Sequence, residues 1–361
     1  MTRWVLHVDL DQFLAAVEML RYPELAGRSV IVGGDGDPTK RGVVSTASYE
    51  ARALGVGSGT PLRTALKRIP DAVFLPVDKE HYEAVSAVVM ATLRTITDQV
   101  EVLGWDEAFL GIEIPDERRE GSEERADDGR AFAVAGDPEA VAHEVARRVL
   151  EVTGLHCSVG IGRNRLQAKI ATGYGKPAGV FRITGATWFD LLGEQPTTSL
   201  WGIGAKTAAK LTELGISTVR GLAGTDVDVL AARFGPATGP WLQRLATGRD
   251  SAAVSSSPYL RRSLGREVTF QQDLADWTVV RAEVASLATR VAGEVAEEGR
   301  DALRVVVKVR WVPFFTETHG RALASPTADA AAIEAAAIEA LDMFDDRRPV
   351  RLLGVRAELV R

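Results

Sequence analysis

The chain has 361 residues, 46% hydrophobic and 25% charged, enough for two to three domains with real cores. A formal charge of −6 excludes a uniformly basic nucleic-acid binder, so any basic surface is local and balanced by acid elsewhere. The single Cys157 excludes an internal disulfide and a cysteine-based zinc site, and no apolar run reaches the ~18 residues of a membrane span. The five histidines, His7, His81, His143, His156 and His319, show no ligand spacing and are expected as packing or surface groups. The first residues carry no signal-peptide pattern, so a cytoplasmic protein is expected.

In chain order, Trp4, Leu6, Val8 and Leu10 alternate with Val5, His7, Asp9 and Asp11, a strand pattern ending in acids. A short helix is expected over residues 12–20, with Phe13, Ala16, Val17 and Leu20 on one face. Residues 29–32 and 42–46 read as strands. The turn-rich GGDGDP between them lacks the GxxxxGK[ST] phosphate cradle. In TASYEAR (46–52), Thr46, Tyr49 and Arg52 are three apart and share a face on a helical turn. A hydroxyl, a phenol and a guanidinium so placed can grip a polyphosphate; a capped helix with Tyr49 packed and Arg52 salt-bridged is the other reading. A helix follows over 81–97, with Tyr82, Val85, Val88, Val89 and Leu93 inward.

GWDEAFL (104–110) sets Asp106 and Glu107 inside an apolar run, where acids are rare unless paired or metal-bound. A two-residue turn at a hairpin tip would expose both and bury the flanks. If the first strand lies beside that hairpin, Asp9, Asp106 and Glu107 converge into a hard-oxygen site for Mg²⁺ or Mn²⁺, the apparatus of two-metal phosphoryl transfer. Residues 116–136 read as an acidic surface loop, 137–152 as a helix with Asp137-Pro138 at its start, and 156–161 as a strand. The stretch 160–179 concentrates Arg163, Arg165, Lys169 and Lys176, charge suited to a triphosphate or DNA backbone. In 200–216, Gly202-Ile203-Gly204 resembles the turn of a helix–hairpin–helix, whose exposed N–H groups hold a DNA phosphate; a plain turn between helices is the alternative.

The Ser/Ala-rich stretch 248–258 is the clearest domain boundary. Beyond it come strand, helix, strand, strand, helix and strand, at 260–270, 277–297, 303–312, 314–323, 329–344 and 350–360, a ferredoxin-like βαββαβ order. Leu303, Val305, Val307, Val309 and Trp311 face one way; Arg304, Lys308 and Arg310 face the other. With Arg261, Arg262 and Arg266 the latter form a free basic face for a nucleic-acid backbone.

Together, VDLDQF (8–13), STASYEAR (45–52), GWDEAFL, SVGIGRNRLQAKIA (158–171), YGKPAG (174–179), the GIG turn and RRSLGRE (261–267) resemble a Y-family DNA polymerase of the DinB, or polymerase IV, type. The resemblance spans essentially the whole chain. It implies an α+β multidomain right hand: a palm (1–10 and 78–171), small fingers (11–77), a helical thumb (172–247), a linker (248–258) and a DNA-gripping little finger (259–361). It implies Asp9, Asp106, Glu107 and the Leu10 carbonyl as ligands of two Mg²⁺ or Mn²⁺ ions. Thr46, Tyr49, Arg52 and Lys176 would grip the triphosphate, helped by the backbone near Gln12, Phe13 and Leu14, with Lys169 close by. Val43 and Ser45 would lie by the templating base. The partners implied are primer–template DNA and nucleotides, and the activity is translesion synthesis at low fidelity without proofreading, by a monomer.

Two positions depart from the family pattern. Gly104 stands where Ser is common, two residues before the catalytic Asp. Leu14 stands where an aromatic ring usually forms the steric gate against a ribose 2′-hydroxyl. A shorter, flexible side chain rejects an added hydroxyl only weakly, roughly 10²-fold at most, so rNTPs are expected as substrates beside dNTPs. The sequence closes at Leu359-Val360-Arg361 without the clamp-binding peptide of many relatives, so no sliding-clamp contact is expected from it. The competing readings are a two-metal nuclease, which would shorten a primer, and a non-catalytic DNA-binding protein, which would need none of the three acids.

Overall fold

The computed structural model describes residues 1–114 and 137–360; the acidic loop expected at 116–136 lies outside the described residues. The chain divides into two compact units. One comprises Met1–Val32, Thr46–Ala53 and Val77–Pro258, the other Gly33–Ser45, Leu54–Pro76 and Tyr259–Arg361. The segment expected as fingers is thus shared between them.

The first unit is built on a five-stranded sheet. Its strands run in the order Val100–Val102, Glu107–Ile114, Thr2–Leu10, Cys157–Gly162, Val180–Arg182, all antiparallel except the last pair. The Thr2–Leu10 strand has a neighbour on each side, and its residues 5–8 are buried on both faces, His7 included. That differs from the half-exposed strand its alternation suggests. Helix Arg165–Gly175 lies against the sheet because Gly160 and Gly162 have no side chains: a Cβ on Gly160 would fall 2.0 Å from the Ala168 carbonyl. Helix Pro138–Thr153 starts as read, with the Asp137 carboxylate accepting from Glu139 N–H at 3.1 Å and Pro138 at its first position.

Helix Phe13–Arg21 buries Leu14, Ala15 and Glu18 as well as Phe13 and Val17, and leaves Leu20 out. Glu18 is inside because it accepts the hydroxyl of fully buried Tyr82 at 2.8 Å. In helix Lys79–Arg94, Tyr82, Val89 and Leu93 are inward but Val88 is exposed, its place taken by Ser86 and Met90. The strand expected at 42–46 shrinks to Thr46–Ala47, paired with Val30–Val32.

Beyond the sheet, helices Trp188–Leu192, Ala205–Thr212, Val219–Ala223, Val227–Phe234 and Thr238–Ala246 share a core of Trp188, Leu200, Ile203, Leu211, Leu222, Leu230 and Leu242. The stretch expected as a loose linker is partly docked. Gly248 O accepts from Asn164 and Gln167 side-chain amides at 2.9 and 3.0 Å, Val254 packs on Val5, Phe109 and Ala168, and Ser255 N–H reaches Glu101 at 2.9 Å.

In the second unit, strands Ser263–Leu274, Ala302–Trp311, Thr316–Thr327 and Val350–Leu359 and helices Trp277–Glu298 and Ala330–Leu341 follow the expected βαββαβ order. In space the first strand neighbours the fourth, the fourth the second, and the second the third, so two split βαβ units interleave. Val305, Val307, Val309 and Trp311 are buried under the helices as read. Leu303 is exposed, because a register shift between Ala302 and Arg304 turns Ala302 inward instead. Residues 33–45 belong to this unit through Arg41. Its guanidinium grips Asp273 at 2.5 and 3.1 Å and the Phe270 carbonyl at 2.9 Å, while its own N–H and C=O pair with the Gln271 side chain at 2.7 and 3.0 Å.

Candidate active site

The strand ladder sets Asp9 directly opposite Glu107, and Leu10 N–H donates to the Asp106 carbonyl at 2.8 Å. The three acids therefore occupy adjoining strand ends. The turn is longer than the two residues expected: the amides of Leu103 and Gly104 both point to the Glu107 carbonyl, at 3.0 and 3.4 Å, so Glu107 already belongs to the strand. Val102 and Leu103 stay exposed rather than buried.

Each outer acid carries a cation. Lys176 is ion-paired with Asp9, and Lys169 with Glu107. His7, 1% exposed, puts Nε2 3.3 Å from Glu107 and Nδ1 2.8 Å from the Thr172 hydroxyl. Burial lowers the imidazole pKa, so His7 is neutral; Nε2 also lies 3.1 Å from Lys169 Nζ, and its side-chain bond is to the Lys169–Glu107 pair. That bond, then Lys169, holds the Glu107 carboxyl down at about 2. Among the described residues Asp106 has no such partner, and burial followed by the charges of Asp9 and Glu107 pushes it up. Among the described residues no three acids or histidines are gathered tightly enough to hold a metal, because Asp9 and Glu107 are turned to their lysines. The donor set still fits a hard divalent cation: three carboxylates whose mutual repulsion a cation would relieve.

The expected nucleotide grip is rearranged. Thr46 lies in a strand and does not share a helical turn with Tyr49 and Arg52. Arg52 stacks over the Tyr49 ring at 5.2 Å and donates to the Ala47 carbonyl at 2.8 Å. Gln12 is left-handed at φ 45°, and its side-chain carbonyl accepts Tyr49 N–H at 2.6 Å. Phe13 packs edge-on to Tyr82 with ring centroids 6.4 Å apart, and Leu14 is 6% exposed.

Asp11, His7, Ser158 and Thr172 are members of this network that motif reading passed over. Asp11 stood in plain view as a second acid ending an apolar strand. The basic stretch 160–179 is less available than its composition suggests. Besides the two paired lysines, Arg165 is bonded to Glu101 at 3.1 Å, and Arg163 lies 4.1 Å over the Trp4 ring.

At 202–204, Gly202 has φ 100° and Gly204 caps helix Ala205–Thr212, with Ile203 buried between them as an anchor. The element before this turn is only the 3₁₀ turn Thr197–Ser199, so the first helix of the expected motif is missing. In the second unit, Val43 is 53% exposed and bridges Pro61, and the Ser45 carbonyl accepts from Ser58 at 2.7 Å.

The family model described as the impB/mucB/samB family matches residues 8–173, and that of its C-terminal domain matches residues 261–360. DNA polymerase IV 2 of Mycobacterium tuberculosis (strain ATCC 25618 / H37Rv) is 48% identical over 358 residues, covering 99% of this chain and 98% of that protein. The chain is a Y-family DNA polymerase of the polymerase IV type. DNA polymerase IV of Methanoculleus marisnigri is 39% identical over 99% of this chain and 95% of its own. Among solved structures, a Dbh–Dpo4–Dbh chimera of this family superposes with a TM-score of 0.82 at 28% identity over 98% of both chains. The structure titled an insertion ternary complex of Dbh DNA polymerase has a TM-score of 0.64 at 28% identity over 99% of both. The protein is therefore a translesion polymerase that binds primer–template DNA and nucleotides and uses divalent metal. Among the described residues no helix is long and apolar enough to cross a membrane.

The polymerase's little finger corrects the expectation of a free basic face. Arg304, Lys308 and Arg310 do share the face away from the helices, but Lys308 is bonded to Glu267 at 2.6 Å and Arg304 is 3.9 Å from Glu358. Arg310 donates to Thr316 at 2.8 Å. Arg266 is opposite Val355 on the helix side and pairs with Glu294. Arg261 and Arg262 precede the first strand of this domain; Arg261 is 3.8 Å from Glu298.

Proposed function

We propose that Asp9, Asp106, Glu107 and the Leu10 carbonyl hold two Mg²⁺ or Mn²⁺ ions, and that Leu14 leaves the sugar pocket open to ribose. Bound ions supply Lewis acidity toward the primer 3′-hydroxyl and neutralise the triphosphate and leaving pyrophosphate. The observation that carries the metal assignment is the opposed pair Asp9 and Glu107 with Asp106 beside them, each outer acid balanced by one lysine. Lysines in those places answer the same negative charge that a divalent cation would.

Around that centre the chain's own groups orient the nucleotide. Lys176, Tyr49, Arg52 and Thr46 face the triphosphate, Lys169 supports Glu107, and Val43 and Ser45 border the templating base. Small side chains there tolerate a distorted base. Leu14, the residue after Phe13, lies beneath the sugar. Its side chain is smaller than a ring and cannot form a rigid wall, so dNTPs and rNTPs both enter. Gly202 and Gly204 offer backbone N–H groups to a DNA phosphate, and Arg261, Arg262, Arg304, Lys308 and Arg310 line the little finger's share of the duplex.

Primer extension on a short template, with dNTPs and rNTPs separately and with each metal, tests the reading beside Asp106→Ala. Extension with both sugars, abolished in the variant, supports it. Refusal of rNTPs by the wild type removes the Leu14 assignment alone. Extension that survives Asp106→Ala removes the metal assignment.

A further inference from the structure

Asp11 is 4% exposed and, among the described residues, has no cation beside it in an ion pair. Its carboxylate is instead the meeting point of three donors from three parts of the first unit. Tyr49 O–H reaches Oδ1 at 2.8 Å, Ser158 O–H lies 3.0 and 3.1 Å from the two oxygens, and Ala178 N–H reaches Oδ2 at 2.7 Å. Tyr49 comes from helix Tyr49–Ala53, Ser158 from the central sheet, and Ala178 from the turn that follows Lys176. Ala178 has φ +54°, a conformation that costs a non-glycine residue about 1 kcal/mol or more, so its N–H bond holds a turn that would otherwise relax.

All three partners are donors. An ionised carboxylate accepts from every one, whereas an amide of the same shape has a single acceptor oxygen, so the Tyr49 and Ser158 hydroxyls would have to turn and accept from its NH₂ in weaker, uncharged bonds. Three charge-assisted bonds therefore favour Asp at this place over Asn. The phenol is committed as well: its single proton goes to Asp11, which fixes the ring over which Arg52 stacks.

We infer that Asp11 is a positioning residue for nucleotide binding: by joining Tyr49, Ser158 and Ala178 it sets the two sides of the triphosphate grip, helix 49–53 and the Lys176 turn, at a fixed separation. It touches neither substrate nor reacting atoms; it acts through Tyr49 and Lys176. The inference rests on the triphosphate reading proposed above.

The test is steady-state nucleotide incorporation by the full chain. Asp11→Asn is expected to raise KM for the incoming nucleotide by roughly tenfold, the size of one lost charge-assisted bond. The shift is expected to be equal for dNTPs and rNTPs, with kcat and primer–template affinity changed less than about threefold. The pyrophosphate KM of the reverse reaction rises with it, because pyrophosphate occupies the same grip. A merely structural aspartate would lower kcat, DNA affinity and thermal stability together and would not separate KM from kcat.

Tyr49→Phe and Ser158→Ala each remove one donor and are expected to raise KM about twofold to threefold. Combined with Asp11→Asn neither adds its full effect. If Asp11→Asn does not fold, Ser158→Ala, whose hydroxyl lies outside the proposed grip, carries the test, and an unchanged KM in it overturns the inference. Lys176→Ala separates the two levels. A raised KM there with no change in Asp11→Asn overturns the positioning role alone. No change in either overturns the triphosphate reading too.

Discussion

Arg41→Ala should loosen residues 38–45 from the strand Ser263–Leu274, and its cost can be worked from the contacts. The substitution deletes two guanidinium bonds to Asp273, at 2.5 and 3.1 Å, and one to the Phe270 carbonyl at 2.9 Å. It leaves the backbone pairing of residue 41 with the Gln271 side chain, at 2.7 and 3.0 Å, in place, so it isolates the guanidinium. A fully buried pair broken on one side costs ~3–5 kcal/mol. Here Asp273 keeps about a quarter of its side chain in water, and the orphaned carboxylate is rehydrated, so about 2 kcal/mol is expected, roughly thirtyfold in the local opening equilibrium. Amide hydrogen exchange read by mass spectrometry measures it: exchange in 38–45 and 268–274 should accelerate by about that factor, while helix Trp277–Glu298 stays protected. Asp273→Ala should produce a similar change, and the double variant should add little. The Arg41 guanidinium holds Asp273 below the usual carboxylate range, so its contribution is present above the ordinary value of 3.8 and is lost as pH falls through the lowered one. Unchanged exchange in Arg41→Ala would refute the reasoning.

Leu14→Phe should restore sugar selection, lowering rNTP against dNTP efficiency by roughly 10²-fold while dNTP extension survives; equal ratios in variant and wild type would remove Leu14 from sugar choice. His7→Phe keeps the bulk beside Phe109, 4.8 Å away, but deletes the ring-nitrogen contact to Glu107. The Glu107 carboxyl, held at about 2, should move toward 4.5, stopped short by Lys169. A depressed carboxylate stabilises the fold above its ordinary pKa and loses that contribution as pH falls toward about 2, and a buried neutral imidazole loses its own as pH falls below 6.5. The variant lacks the second and keeps only part of the first, so stability of the metal-free variant, followed by circular dichroism, should fall less steeply with pH than in wild type, and an equal slope would refute this. Glu267→Gln releases Lys308 from its partner at 2.6 Å. DNA affinity should rise at low salt, and the slope of log K against log salt should steepen by up to about 0.9, one phosphate contact; an unchanged slope would show that Lys308 does not reach the backbone.

The parts of this fold that sequence could supply were those with a local cause. Asp137-Pro138 announces a helix start because a cap and a fixed φ act within one turn. The βαββαβ order of the C-terminal half follows from runs whose period changes from 2 to 3.6. Asp106 and Glu107 stand out because acids do not sit in apolar runs without a reason. What escaped was set by contacts far apart in the chain. Burial of both faces of the first strand depends on Cys157–Gly162 closing its second side. The strand expected at 42–46 is short because residues 42–44 pair with 60–62 in an isolated bridge, Val43 opposite Pro61, and only Thr46–Ala47 joins Val30–Val32. Leu303 is turned out by a register shift that no alternation encodes.

The same long-range logic governs the charges. Local reading assigns Lys169, Lys176, Arg165, Lys308 and Arg266 to phosphates, because each lies in a basic or alternating stretch. In the structure every one of them has an acid of this chain as its partner: Glu107, Asp9, Glu101, Glu267 and Glu294. A net charge of −6 requires acids to outnumber bases somewhere, and here several stand beside the bases that matter. Binding an anionic substrate at such a residue is then an exchange of partners, and its free energy is the difference between two ion pairs. That difference is smaller than the attraction of an unpaired cation, and where Lys176 leaves Asp9 the freed carboxylate is itself better placed to take a metal. Nucleotide and metal binding are therefore expected to favour one another at Asp9, and to be weaker when either is offered alone.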